Sequence, residues 1–155
     1  GSKGIKDKNI KLLSGKPLIN YTIEEARKVF DDSQIYISTD SKQIKSIVEV
    51  SGLKVPFIRP KELATDTANS RDVLLHAINY YEKNNNSIID FVILLQPTSP
   101  FRNATNIIES LGLWNKNIDM VVSVKESKSN PYFNLFEENP AGFLIKSKKS
   151  DSTRP

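Results

Sequence analysis

The eight residues Ile88-Ile89-Asp90-Phe91-Val92-Ile93-Leu94-Leu95 constrain the fold more than any other stretch. Apart from Asp90 every side chain is apolar, and several are β-branched or aromatic. The run is bounded by turn-forming sequence, Asn84-Asn85-Asn86-Ser87 before it and Gln96-Pro97-Thr98-Ser99-Pro100 after it. A short apolar run between such breaks reads as a central strand buried on both faces. A strand of that kind needs a covering layer on each side, and the flanking sequence supplies helical patterns for both.

Pro17 is suited to a first helical position, and Ile19, Ile23, Ala26 and Phe30 then form one apolar stripe that Asp31-Asp32-Ser33 interrupts. Residues 34–39 read as a strand. Asp40 or Ser41 can cap a helix bearing Ile44, Ile47 and Val48, which Gly52 ends. Val55-Pro56-Phe57-Ile58 reads as a short edge strand because of its proline. A polar loop over 59–69 leads to a helix with Val73, Leu74, Ala77, Ile78 and Tyr81 on one side. Asn103 caps a helix with Ile107, Ile108 and Leu111, and residues 119–124 form a further strand. Residues 133–136 and 142–145 are placed to form a small hairpin around Glu138-Asn139-Pro140-Ala141. This alternation predicts an α/β fold with a mainly parallel sheet and helices on both faces, in one domain at 155 residues.

In such sheets ligands bind beyond the carboxyl ends of the strands. Ser38-Thr39-Asp40, Arg59-Pro60, the segment Leu95-Gln96-Pro97-Thr98-Ser99-Pro100 and Val124-Lys125-Glu126 are therefore expected to converge on one crevice. The chain opens with Gly1-Ser2-Lys3-Gly4-Ile5-Lys6-Asp7-Lys8-Asn9. Glycine lets backbone N–H groups line an anion-binding concavity, and lysine serves phosphate as a mobile point charge. The stretch reads either as a triphosphate cradle or as a solvated basic terminus.

Charge fits a phosphorylated partner. The net charge is +4, and Lys3, Lys6, Lys8, Lys11 and Lys16 face only Asp7 at the start of the chain. Aromatic residues are not interleaved with these lysines, which disfavours single-stranded nucleic acid. The absence of cysteine excludes disulfides and thiolate chemistry and suits a cytoplasmic chain. No apolar run reaches the ~20 residues of a membrane span.

At this point the motifs, in their order, resemble the acylneuraminate cytidylyltransferases, also called CMP-sialic acid synthetases. The resemblance is carried by Ser2-Lys3-Gly4 with Lys8-Asn9, by Ser38-Thr39-Asp40, and by Arg59-Pro60 with Leu63-Ala64, Asp66-Thr67-Ala68 and Ser70. It continues through Leu94-Leu95-Gln96-Pro97-Thr98-Ser99-Pro100 with Arg102, then Val121-Val122-Ser123 and Asn130-Pro131-Tyr132. It implies a Rossmann-like nucleotidyltransferase domain that transfers CMP from CTP to a sialic-acid-like nonulosonate sugar, releasing pyrophosphate, with Mg2+ as cofactor. By the same resemblance Ser2, Lys3, Lys8 and Asn9 match positions that hold the triphosphate and nucleoside, with Lys3 and Lys8 supplying catalytic charge. Arg59, Ala68 and Ser70 match positions around cytosine and ribose, and Gln96 matches a position that touches the sugar.

Three departures follow from the same comparison. The family's strand ending in Ala-Arg before the first loop is not found, nor is the later segment carrying metal-binding aspartates and much of the dimer contact. The chain is therefore expected to be truncated at both ends of a domain that forms a homodimer when complete. Phe133 stands where many members have lysine, which implies a different sugar pocket. Other readings stay open: a related sugar nucleotidyltransferase such as that for 3-deoxy-octulosonate, or a nonenzymatic basic domain that binds nucleic acid. Asp40 reads equally as a helix cap, Gln96 as a brace for the backbone, and His76 as a helix-face residue.

Overall fold

A computed structural model describes residues 5–65, 67–126, 128–129, 132 and 135–148, and the chain divides into two units, residues 1–115 and 116–155. In the first unit Ser14 and Gly15, at φ 49° and 81°, close a tight turn between β1 (Leu12–Leu13) and β2 (Lys16–Pro17). Positive φ at both central residues matches the twist of an antiparallel pair, and Leu13 lies opposite Lys16.

Helix α1 (Leu18–Arg27) starts one residue after the position expected, since Pro17 is its cap residue. It buries Ile19, Thr22, Ile23 and Ala26 and ends before Phe30. Arg27, the last residue of α1, ties that end to its surroundings. Its guanidinium donates to both carboxylate oxygens of Asp32 at 2.7 Å and to the Ser51 carbonyl at 2.9 Å. The end of α1 is thereby tied to the end of α2 (Lys42–Val50). Ser41, rather than Asp40, caps α2 by accepting from the Ile44 N–H at 3.3 Å. Gly52, at φ 86°, turns the chain out of the helix.

The core consists of Ile19 and Ile23 from α1, Val48 from α2, and Leu53 and Val55, with Ile35, Ile37 and Ile44 packed against it. Leu53, Val55 and Phe57 are buried while Lys54, Pro56 and Ile58 between and after them are exposed. That is the period of a half-covered extended strand. Helix α3 (Ser70–Asn85) is capped by Asn69, whose side chain accepts from the Arg71 N–H at 2.9 Å. It packs through aromatic contacts, with Tyr80 and His76 at 4.8 and 5.1 Å from the Phe57 ring and Tyr81 at 5.3 Å from Tyr36. Helix α4 (Ala104–Leu113) begins with a reciprocal Asn103–Asn106 capping box, and Ile107 is its buried residue. The Ala104 N–H also donates to Glu25 of α1 at 2.8 Å.

Helices and extended segments thus alternate as expected, but the sheets formed among the described residues are small and antiparallel. The Arg59 N–H donates to the Thr39 carbonyl at 2.8 Å and joins the ends of segments 35–39 and 53–58. The expectation for 88–95 is corrected in one respect: this run is not buried on both faces. Ile89, Ile93 and Leu95 are half-buried, whereas Ile88 is 88% exposed and Leu94 54%. Apolar composition sets what a strand would bury, and here one side lacks a covering layer among the described residues.

In the second unit β3 (Phe136–Glu138) pairs with β4 (Leu144–Lys146), with Glu137 opposite Ile145. Asn139 closes the connection by accepting from the N–H groups of Ala141 and Phe143, both at 3.0 Å. The hairpin is the expected one, shifted toward the C-terminus; Phe133 lies outside the described residues. Segment 119–124 forms no ladder among the described residues. No helix among them is long and apolar enough to cross a membrane.

Candidate functional site

A cleft of about 310 Å³ opens in the first unit, lined by Arg59, Ala68, Ser70 and Gln96 among others. Each reaches it for a local reason. Arg59 follows the extended segment 53–58, where its N–H is held by Thr39. Ala68 precedes the Asn69 cap, and Ser70 is the first residue of α3. Gln96 ends the apolar run 88–95, where the chain leaves extended structure. Leu63, Val73, Leu74 and Leu94 complete the walls with apolar surface.

Arg59 is the charged group of the cleft. Its Nη2 donates to Asp40 at 3.3 Å, while its Nε is buried without a hydrogen-bond partner among the described residues. A buried donor without an acceptor is costly, and Arg59 carries that cost while lining the cleft with its cation. Asp40 thus orients Arg59 as well as preceding the Ser41 cap. Next to it Thr39 is 4% exposed, and its hydroxyl accepts from the Ser41 N–H at 3.2 Å.

Lys8 and Asn9 occupy a short 3-10 turn, Lys8–Ile10, introduced by Asp7 at φ 55°. The Ile10 N–H returns to the Asp7 carbonyl at 3.0 Å and the Lys11 N–H to the Lys8 carbonyl at 3.1 Å. The turn packs against α1 and α2, so this part of the basic loop is a formed structure. Lys8 is half-buried and makes no ion pair among the described residues. The structure therefore brings Arg59, Ala68, Ser70 and Gln96 together and sets Lys8 and Asn9 in a separate formed turn. Ser2 and Lys3 lie outside the described residues, as do Asp66, Asn130 and Pro131.

Two contacts were not legible from residue type alone. Asp40 engages Arg59 across nineteen positions of sequence. Arg102 donates from Nη2 to the Gln96 carbonyl at 2.8 Å. The available signal for the second was the pair of prolines at 97 and 100, each at the second position of a turn.

Magnesium in phosphoryl-transfer sites is usually held by one or two carboxylates together with substrate phosphates and water. Among the described residues no three His, Cys, Asp or Glu side chains come together, and Asp40 is already engaged by Arg59.

Comparison with known proteins gives this cleft its context. A family model described as cytidylyltransferase matches residues 1–134. The N-acylneuraminate cytidylyltransferase of Escherichia coli O18:K1:H7 is 41% identical over 82% of this chain and 29% of its own length. The CMP-N,N'-diacetyllegionaminic acid synthase of Legionella pneumophila is 37% identical over 84% of the chain and 56% of its own. The pseudaminic acid cytidylyltransferase of Campylobacter jejuni serotype O:2 is 40% identical over 66% of the chain and 44% of its own. The chain spans about a third of the length of the N-acylneuraminate cytidylyltransferases it matches. The matched region contains the basic loop and every residue named in the cleft, and the chain belongs to the cytidylyltransferase family.

Proposed function

We propose that this chain carries the nucleotide-binding part of an enzyme that transfers CMP from CTP to a sialic-acid-like nonulosonate sugar. The observation that carries the reading is the convergence of Arg59, Ala68, Ser70 and Gln96 on one cleft in a chain of this family. The names of the E. coli, L. pneumophila and C. jejuni relatives support a nonulosonate as acceptor.

In the reaction a sugar hydroxyl oxygen bonds to the α-phosphorus as the bond from that phosphorus to the bridging oxygen breaks. Pyrophosphate leaves with the electron pair, and the hydroxyl proton passes to solvent. Negative charge grows on the leaving group, so positioning and fixed positive charge carry most of the catalysis. Lys8, in its formed turn, and Lys3 supply that charge, with Ser2 and Asn9 as polar partners of the nucleotide. Arg59 offers its guanidinium to the nucleotide, Ala68 and Ser70 flank the base and ribose, and Gln96 reaches the sugar. Magnesium is the cofactor the resemblance implies, and when bound it would offset the negative charge of the triphosphate.

The finer architecture belongs to the same proposal. A mainly parallel Rossmann-like sheet is supported by the order of helices and extended segments, with 35–39, 53–58 and 88–95 as its strands. A homodimer of the complete protein in the cytoplasm, without nucleic acid or membrane as partner, completes it. The test is pyrophosphate release by the full-length protein. Release is expected only with CTP and a nonulosonate together, and release with CTP and no sugar, or none with any nonulosonate, would overturn the reading.

A further inference from the structure

Gln96 begins a double turn. The Ser99 N–H returns to the Gln96 carbonyl at 3.3 Å, and the Arg102 N–H returns to the Ser99 carbonyl at 3.2 Å. Pro97 and Pro100 each stand at the second position of these turns, where their fixed φ is pre-set for the bend. The two turns fold the chain back so that the Arg102 guanidinium meets the Gln96 carbonyl at 2.8 Å. One carbonyl oxygen thus accepts both a backbone N–H and a charged donor. Gln96 lines the cleft, and Arg102 does not.

We propose that Arg102 is a positioning residue that acts through Gln96, holding its backbone so that its carboxamide is presented to the sugar substrate. The inference rests on the function proposed above and adds a residue to that site. Backbone bonds already close both turns, so the turns themselves do not require a guanidinium. Burial also pushes the Arg102 pKa down, and its Nη1 is buried without a partner among the described residues. A half-buried cation set at the end of such a loop is costly to local stability, and that cost is offset where it sharpens a binding site. A charge-assisted bond to the carbonyl also holds more firmly than a neutral one. The carboxamide is otherwise lightly held, with the Thr98 hydroxyl at 3.5 Å as its neighbour.

The test uses the full-length protein with CTP and its preferred nonulosonate. Arg102→Met keeps the apolar stem and removes the donors, while Arg102→Lys keeps charge and one donor. Arg102→Met is expected to raise the sugar KM about tenfold, with kcat and CTP affinity within about threefold of wild type. Arg102→Lys should restore the sugar KM to within about threefold. In a Gln96→Ala background Arg102→Met should add little, because the side chain through which it acts is gone. A KM unchanged by Arg102→Met, equal losses in all parameters, or full additivity with Gln96→Ala would overturn the proposal while leaving the function intact. If Arg102→Met fails to fold, Arg102→Gln, which keeps polar donors without the charge, decides: a severalfold rise in sugar KM alone supports the role, and an unchanged KM refutes it. Failure of the wild-type protein to bind CTP would overturn both readings together.

Discussion

Lys8 and Lys6 stand two positions apart, and the structure separates their settings. Lys8 begins the 3-10 turn that packs on α1 and α2, whereas Lys6 precedes that turn and is exposed. A charge held in a formed turn at a site that excludes water counts for more than the same charge in bulk solvent. Lys8→Ala is expected to lower kcat/KM of the full-length enzyme about a hundredfold, roughly 3 kcal/mol, by comparison with other lost electrostatic contacts. Lys6→Ala should have a small effect that fades with salt. Matching small losses in steady-state assays at two salt concentrations would show the loop to be only a basic surface.

At the scale of elements, the helices were legible and the pairing of extended segments was not. Ser41, Asn69 and Asn103 cap α2, α3 and α4 because each carries a short polar side chain before an apolar helical pattern. The apolar stripe overran the end of α1, and Phe30 instead closes a turn, its N–H returning to the Ala26 carbonyl at 2.9 Å. For 88–95 the composition announced a strand, yet pairing and covering depend on other segments. The cleft followed a similar division: Arg59, Ala68, Ser70 and Gln96 could be named from motifs, as could Asp40 and Arg102, while the contacts that Asp40 and Arg102 make became visible only through geometry. Leu53 is 1% exposed at the centre of the core, so Leu53→Ala should cost about 3 kcal/mol in denaturant unfolding. A loss below about 1 kcal/mol would mean that the site collapses around the missing atoms.

Glu25 supplies a second test of packing between elements. Its carboxylate pairs with Lys28 and accepts from the Ala104 N–H, and these bonds hold its pKa below the usual range. Asp32 is likewise lowered by Arg27. Depressed folded pKa values give stability that is present above the unfolded carboxylate range and lost as pH falls through the folded values. Stability should therefore decline below about pH 4, and Glu25→Gln should flatten part of that decline. The same acid profile for wild type and Glu25→Gln, read by thermal melts, would remove Glu25 from the α1–α4 contact.

For the whole molecule, the α/β alternation and the cleft at the end of segments 53–58 and 88–95 agree with a nucleotide site beyond strand ends. The cleft is small, polar at Arg59, Ser70 and Gln96, and apolar at Leu63, Leu74 and Leu94, a mixture suited to a base and ribose. Its fixed donor edge on Arg59 and the backbone beside Ala68 are expected to read a pyrimidine edge and exclude the larger purines. The most direct measurement is calorimetric titration of the full-length protein with CTP, ATP and GTP. The account predicts saturable CTP binding with ATP and GTP weaker by at least about tenfold, and weakened CTP binding in Arg59→Ala. Equal binding of all three nucleotides, or CTP binding indifferent to Arg59→Ala, would contradict it.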